Sequence, residues 1–127
     1  MTLKKIRLEL ARTPEFPEGN PACGYEFIAP LDAHGKLDSH QWAHDKDKCT
    51  VRRFWAKEPD EHGLLKHHRG ENWAFFYGAD EAEEEPIFRL GKHSFVVGEY
   101  LSVTEHDGVI RPFKVVDVRS ISVRRSA

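Results

Sequence analysis

The sequence is poor in the features by which most small proteins can be sorted at sight. Its two cysteines, Cys23 and Cys49, are too few and too far apart for a disulfide-stapled scaffold. There is no Cys-x-x-Cys pair, no Gly-x-Ser-x-Gly elbow, no His-Glu-x-x-His helix and no glycine-rich phosphate loop. No reaction, metal or nucleotide is therefore written into it by motif. No apolar run approaches the ~20 residues of a membrane-spanning helix. The charged start, Met1-Thr2-Leu3-Lys4-Lys5-Ile6-Arg7, lacks the apolar stretch of a secretory signal. A cytoplasmic location with reduced thiols and no membrane partner is the expectation. Nor is there an excess of positive charge. The net charge of −2 gives the chain no overall pull toward nucleic acid.

What is present is the material of one soluble domain spanning residues 1–127. A hydrophobic fraction of 39%, with 11% aromatic residues, is enough for a core, and 31% charged residues give a polar surface. The charge is unevenly spread. Residues 58–85 carry 9 acidic and 2 basic side chains, a balance of −7, against +2 before them and +3 after. Much of the acidity lies in Asp80-Glu81-Ala82-Glu83-Glu84-Glu85, which reads as a solvated loop. There are 8 histidines, which would carry the net charge from −2 to +6 if all were protonated.

Most of the chain alternates with the period of β-strands. Ile6, Leu8 and Leu10 alternate with Arg7, Glu9 and Ala11, and Tyr25, Phe27, Ala29 and Leu31 repeat the pattern, with Pro30 ending that strand or placing it at an edge. Between them Pro14, Pro17, Gly19 and Pro21 make Thr13–Cys23 a loop. Asp32-Ala33-His34-Gly35-Lys36 is a turn. Asp38 with Gln41 resembles a capping box and starts a short helix from Ser39 to about Lys46 that buries Trp42. Thr50–Ala56 returns to strand, with Val51, Arg53 and Trp55 on one face and Arg52 and Phe54 on the other. Glu58-Pro59-Asp60-Glu61-His62-Gly63 reads as a turn cluster, followed by strands at Leu64–His68, Asn72–Tyr77 and Ile87–Leu90. Phe95–Thr104 and Val109–Val123 form a hairpin about Glu105-His106-Asp107-Gly108, and Pro112 marks an edge or a bulge in its second arm. The prediction is a mainly β fold, a small partly open antiparallel β-barrel or sandwich of about 7–8 short strands with one short helix near residues 39–46.

Arg7-Leu8-Glu9-Leu10-Ala11-Arg12, Pro17-Glu18-Gly19, Gly24-Tyr25-Glu26-Phe27, Cys49-Thr50-Val51-Arg52-Arg53-Phe54-Trp55 and Gly98-Glu99-Tyr100 resemble a set of small bacterial proteins of unassigned function. The resemblance spans most of the chain. It implies a soluble bacterial protein and carries no activity, ligand or site residue with it.

Two groups of residues are candidates for a site. Basic and aromatic side chains interleave at Arg52, Arg53 and Trp55, at Trp73, and at Arg111, a pattern suited to a ligand or partner face and, on a small barrel, to single-stranded nucleic acid. The acidic 58–85 region argues against a phosphate partner. His40 and His44, four apart on the predicted helix, with Cys49 or Asp38 as a third ligand, make the metal candidate. His67 and His68 are adjacent and point to opposite faces of a strand, which excludes the His-x-His pattern of a cupin. Cys49 opens an apolar strand and reads as an inert buried thiol rather than a nucleophile. The leading expectation is a non-catalytic β-domain that binds a protein partner or small ligand and needs no cofactor. The alternatives are a metal-binding protein using His40 and His44 and a single-strand-binding barrel.

Overall fold

The computed structural model describes residues 2–70, 72–77, 84–87, 93–105 and 108–122. Eight strands follow one another: β1 (Thr2–Leu10), β2 (Asn20–Ala29), β3 (Thr50–Trp55), β4 (Glu58–His67), β5 (Trp73–Phe76), β6 (Glu84–Ile87), β7 (Tyr100–Thr104) and β8 (Ile110–Ser122). One helix, α1 (Ser39–Asp45), lies between β2 and β3. The strands form one antiparallel sheet in the order β6-β5-β4-β3-β2-β1-β8-β7. Every strand lies beside its successor except at one place, where the chain returns β8 to the free side of β1. This is an up-and-down meander rolled into a partly open barrel.

The two ends of the sheet, β6 and β7, approach to Cα separations within 8 Å with no ladder between them among the described residues. An inserted strand would need about 9.5 Å, twice the usual spacing. The seam is therefore too narrow for a further strand where the two approach. Bulges supply part of the curl. Between Arg7 and Leu8 the β8 partner jumps from Asp117 to Val115, leaving Val116 as the extra residue.

The alternation read in the sequence decides what fills the barrel. Ile6, Leu8, Leu10, Tyr25, Phe27, Ala29 and Val51 are all buried. Tyr25, Phe27, Phe75, Phe95 and Phe113 meet ring to ring at centroid distances of 5.1–5.6 Å, and tilted or edge-on aromatic contacts of this kind add roughly 0.5–1.5 kcal/mol each beyond their buried area. An eight-stranded barrel is just wide enough for its own side chains or one small ligand. Here the rings occupy it. On the outer face Gly24 is obligatory for a different reason. A Cβ there would lie 1.9 Å from the Leu8 carbonyl oxygen and 3.0 Å from the Phe54 ring.

Several expectations change. Glu58–Gly63 is the first half of β4 and not a turn. Proline is tolerated there because the pairing slips between Arg53↔Glu61 and Trp55↔Glu58, and Pro59 sits in that irregularity, while Gly63 pairs regularly with Val51 and leaves room for the Phe76 carbonyl, 2.1 Å from where a Cβ would stand. The turn is Ala56-Lys57, with Lys57 at φ +68°. The loop after β1 ends at Asn20 and not at Cys23, because β2 resumes across a second irregularity, where Glu9 pairs with Gly24 but Leu10 with Asn20. Phe95 lies outside any strand. Gly98, at φ +103°, breaks the extended chain before β7 begins. Glu84 and Glu85 of the acidic run are strand residues paired with Phe76 and Phe75. Residues 80–83 of that run, 88–90 of the predicted Ile87–Leu90 strand, 106–107 of the hairpin turn and Val123 lie outside the described residues. β8 lies between β1 and β7, so Pro112 is on no edge, and it is not the bulge. Its carbonyl accepts from Ala11 N just past the end of β1, where the ladder no longer needs the donor that proline lacks.

Candidate functional site

The interior-facing residues separate into two unlike ends. β3 runs from Thr50 to Trp55, roughly 17 Å at the usual rise per residue, and carries one end of the barrel at each terminus.

The end at Trp55 is built from charge. Glu105 follows β7 directly, and since Leu101 and Val103 point inward it continues their parity into the barrel, where it is 2% exposed. Its Oε2 accepts from the Tyr25 hydroxyl at 2.6 Å and from Arg53 Nε at 3.1 Å. Its Oε1 accepts from Arg111 Nη1 at 2.9 Å. One carboxylate thus ties β7 to β2, β3 and β8. Trp55 packs against both cations, with its ring centre 4.4 Å from the Arg53 guanidinium carbon and 5.7 Å from that of Arg111. Glu58 and Glu61 stand 3.6 Å from Arg53, and Glu15 3.7 Å from Arg111. Burial strips water from the Arg53 guanidinium and opposes its charge, but the Glu105 carboxylate and the Tyr25 oxygen outweigh that and hold its pKa above the ordinary value. Two guanidinium groups are thus held among four carboxylates, with Glu105 bonded to both, which is the chemistry of a latch.

Arg52, next in the chain, faces outward. It binds Glu26 through Nη2 and Asp60 through Nη1 at 2.9 Å. Burial alone would raise the Glu26 pKa, but the Arg52 hydrogen bond and charge reverse this and hold it below the usual carboxylate range. Arg7 and Arg52 cover the Phe54 ring at 4.3 and 5.1 Å. The basic residues singled out in the sequence therefore face carboxylates and rings. They make no free basic stripe of the kind that tracks a phosphate backbone.

The end at Thr50 is built from aromatic rings. Asp38 caps α1, its Oδ1 accepting from Gln41 N at 3.1 Å. The helix is two turns long and swings Trp42 across the barrel end. Trp42 Nε1 donates to the Leu65 carbonyl at 3.0 Å, which sets the ring's orientation. Trp42, His67 and Trp73 then form a cluster with centroid distances of 5.9, 5.8 and 4.5 Å. His67 Nε2 lies 2.8 Å from the Gly70 carbonyl oxygen. A carbonyl can only accept, so Nε2 is the donor in this bond. Against this cluster lies a groove of about 460 Å³ between α1 and β4, lined by Trp42, Lys46, Asp47, Leu64, Leu65, Lys66 and His67. A second groove of about 550 Å³, with Arg12, Glu18, Tyr100 and Lys114 on its walls, lies on the outer side of β1 and β8 and mixes both signs of charge.

The basic and aromatic candidates thus divide. Arg53, Trp55 and Arg111 converge at the charged end, Arg52 is on the outer wall, and Trp73 is at the aromatic end. Glu105 and Tyr25, which organise the charged end, were not among the candidates. The signal for Glu105 was its place in the Leu101, Val103 alternation.

The metal candidate does not assemble. His40 and His44 share an exposed face of α1 with ring centres 5.7 Å apart. Cys49 is fully buried, and burial, followed by the charges of Asp45 and Asp47, pushes its thiol up to about 12. A thiol that stays protonated is a poor metal ligand. Among the described residues no three His, Cys, Asp or Glu side chains converge as a metal set. Cys23 and Cys49 are both free. In the β2–β3 register, Gly24 faces Phe54 and Phe27 faces Val51, so the two cysteines belong to opposite ends of the barrel. No helix among the described residues is long and apolar enough to cross a membrane.

The chain matches no family model, no curated protein and no solved structure.

Proposed function

We propose that the protein is a non-catalytic, cytoplasmic bacterial β-barrel module that binds a small ligand, and that the ligand's seat is the groove between α1 and β4. The observation that carries the reading is the groove itself, about 460 Å³ in volume and floored by Trp42, Leu64 and Leu65. Small-molecule sites commonly run to about 300–1,000 Å³ and combine an apolar lining with a few polar groups. Two further features support it. The barrel interior is occupied by its own aromatic rings, so a ligand is received outside it. The Trp42 ring is held by its bond to Leu65 and its packing on Trp73, and a preformed face loses little freedom when it binds. Two free cysteines at opposite ends suit a reducing compartment.

An NMR screen with a mixed set of neutral, anionic and cationic fragments tests the reading. Shifts gathered at the Trp42 indole N–H and at Leu64, Leu65 and His67 are the expected result. Shifts gathered at Trp55, Arg53 and Arg111, or none at the groove, overturn it.

A further inference from the structure

We infer that the α1–β4 groove takes a small aromatic carboxylate, with the ring on the Trp42–Leu64 floor and the negative charge at Lys46 and Lys66. The inference rests on the groove being the ligand's seat and concerns the class of ligand.

The floor asks for a flat apolar body. Leu64 is one of the large hydrophobic side chains left exposed, at 37%, and it lies beside the half-buried Trp42 ring. Covering such surface is favourable in proportion to its apolar area. The Trp42 ring cannot rotate away without losing its bond to Leu65, so it presents a fixed face to another ring.

The walls ask for one negative charge. Lys46, Lys66 and Asp47 are among the residues that border the groove, and together they carry a net of one positive charge. Lys46 Nζ stands 5.9 Å from the Trp42 ring centre, over an aromatic face rather than a carboxylate. Lys66 Nζ likewise stands 3.9 Å from the Phe76 ring centre. The neighbouring acid Asp45 is engaged by Lys48 at 3.6 Å and by Gln41. A cation that stands over a ring gains when an anion arrives beside it at a partly desolvated surface. The groove has the volume of one small molecule and not of an extended peptide.

The test is calorimetric titration of the intact chain with four related probes: naphthoate, its neutral counterpart naphthamide, the cation naphthylmethylamine and the non-aromatic anion cyclohexanecarboxylate. NMR of the Trp42 indole N–H reports the place of binding. Naphthoate is expected to bind about three-fold or more tightly than naphthamide, the scale of a partly exposed ion pair, and the preference is expected to shrink as salt is raised. Lys46→Met should remove most of that preference, so that naphthoate and naphthamide bind the variant about equally. Leu64→Glu, at an exposed position that leaves the fold intact, should abolish binding of both aromatic probes. Equal affinity for naphthoate and naphthamide, tighter binding of the amine, or equal binding of cyclohexanecarboxylate overturns the class of ligand while leaving the seat standing. Absence of any shift at Trp42 with all four probes overturns the seat and this inference with it.

Discussion

The two ends of the barrel solve the same problem, how to finish a sheet that must stop, in opposite ways. At the charged end, Arg53, Arg111 and Tyr25 are all bonded to Glu105, so the strands there are tied together by one carboxylate. At the aromatic end, Trp42, His67 and Trp73 leave a groove in contact with solvent, and Lys46 stands over a ring. The difference teaches where recognition belongs. A carboxylate and two guanidinium groups that satisfy each other hold strands in place but have little left to offer a ligand. Half-buried aromatic surface beside cations that stand over rings still has binding free energy to realise.

The comparison can be broken most forcefully at Glu105. Glu105→Gln keeps the size of the side chain but leaves the Arg53 guanidinium buried opposite a neutral group. Breaking one partner of a buried pair costs about 3–5 kcal/mol, while Lys46→Met at the other end should change stability by less than about 0.5 kcal/mol. Urea denaturation of both variants measures this, and a cost below about 1 kcal/mol for Glu105→Gln would show that the latch is not what holds its end. Tyr25→Phe is the milder form of the same experiment. It removes the hydroxyl donor to Glu105 and should cost about 1–2 kcal/mol.

A pH experiment sharpens the view of the aromatic end. The Cys49 thiol is raised from 9.0 to about 12 in the folded chain. Between those values the unfolded chain loses a proton that the folded chain keeps, so this contribution is fully present below pH 9 and is lost as pH rises through about 12. Stability should fall through that window, and the fall should be shallower in Cys49→Ala. The same burial predicts that Cys49 resists alkylation at neutral pH until the chain unfolds. A slope identical in the two proteins would mean that the thiol is ionised where it sits. The smallest effect is expected in the turn of the charged end. Lys57 holds φ +68°, which costs a residue with a Cβ roughly 1–2 kcal/mol. Glycine avoids that strain but adds chain entropy of about 0.5–1 kcal/mol. Lys57→Gly should therefore stabilise by about 0.5 kcal/mol, visible as a slightly higher Tm.

Much of the fold was legible before any coordinates. The alternation at Ile6–Leu10 and Tyr25–Ala29, the facing of Val51, Arg53 and Trp55, and the Asp38 cap of α1 all read correctly, because each depends on neighbours a few residues away. The misreadings have a common source. Glu58–Gly63 has the composition of a turn, but cross-strand pairing with β3 outweighs composition. Glu105 does open the turn, its carbonyl accepting from Gly108 N, but nothing in the turn reading showed that its side chain points inward, where two guanidinium groups and a phenol replace water. The groove was invisible because Trp42 and Leu65 are 23 residues apart.

By itself the sequence determined that Ile6–Leu10, Tyr25–Ala29 and Thr50–Trp55 form strands, which of their side chains point inward, and where the one described helix begins. These are properties of period and cap, and they are local. Only the tertiary structure decided that Arg53 meets a carboxylate 52 residues away and Tyr25 the same one 80 residues away, and that Trp73 belongs to the other end. Those meetings depend on strand register, on the bulges that curl the sheet and on the return of β8 to β1. A slip of one residue in a ladder would turn the side chains of the strand that slipped to the opposite face.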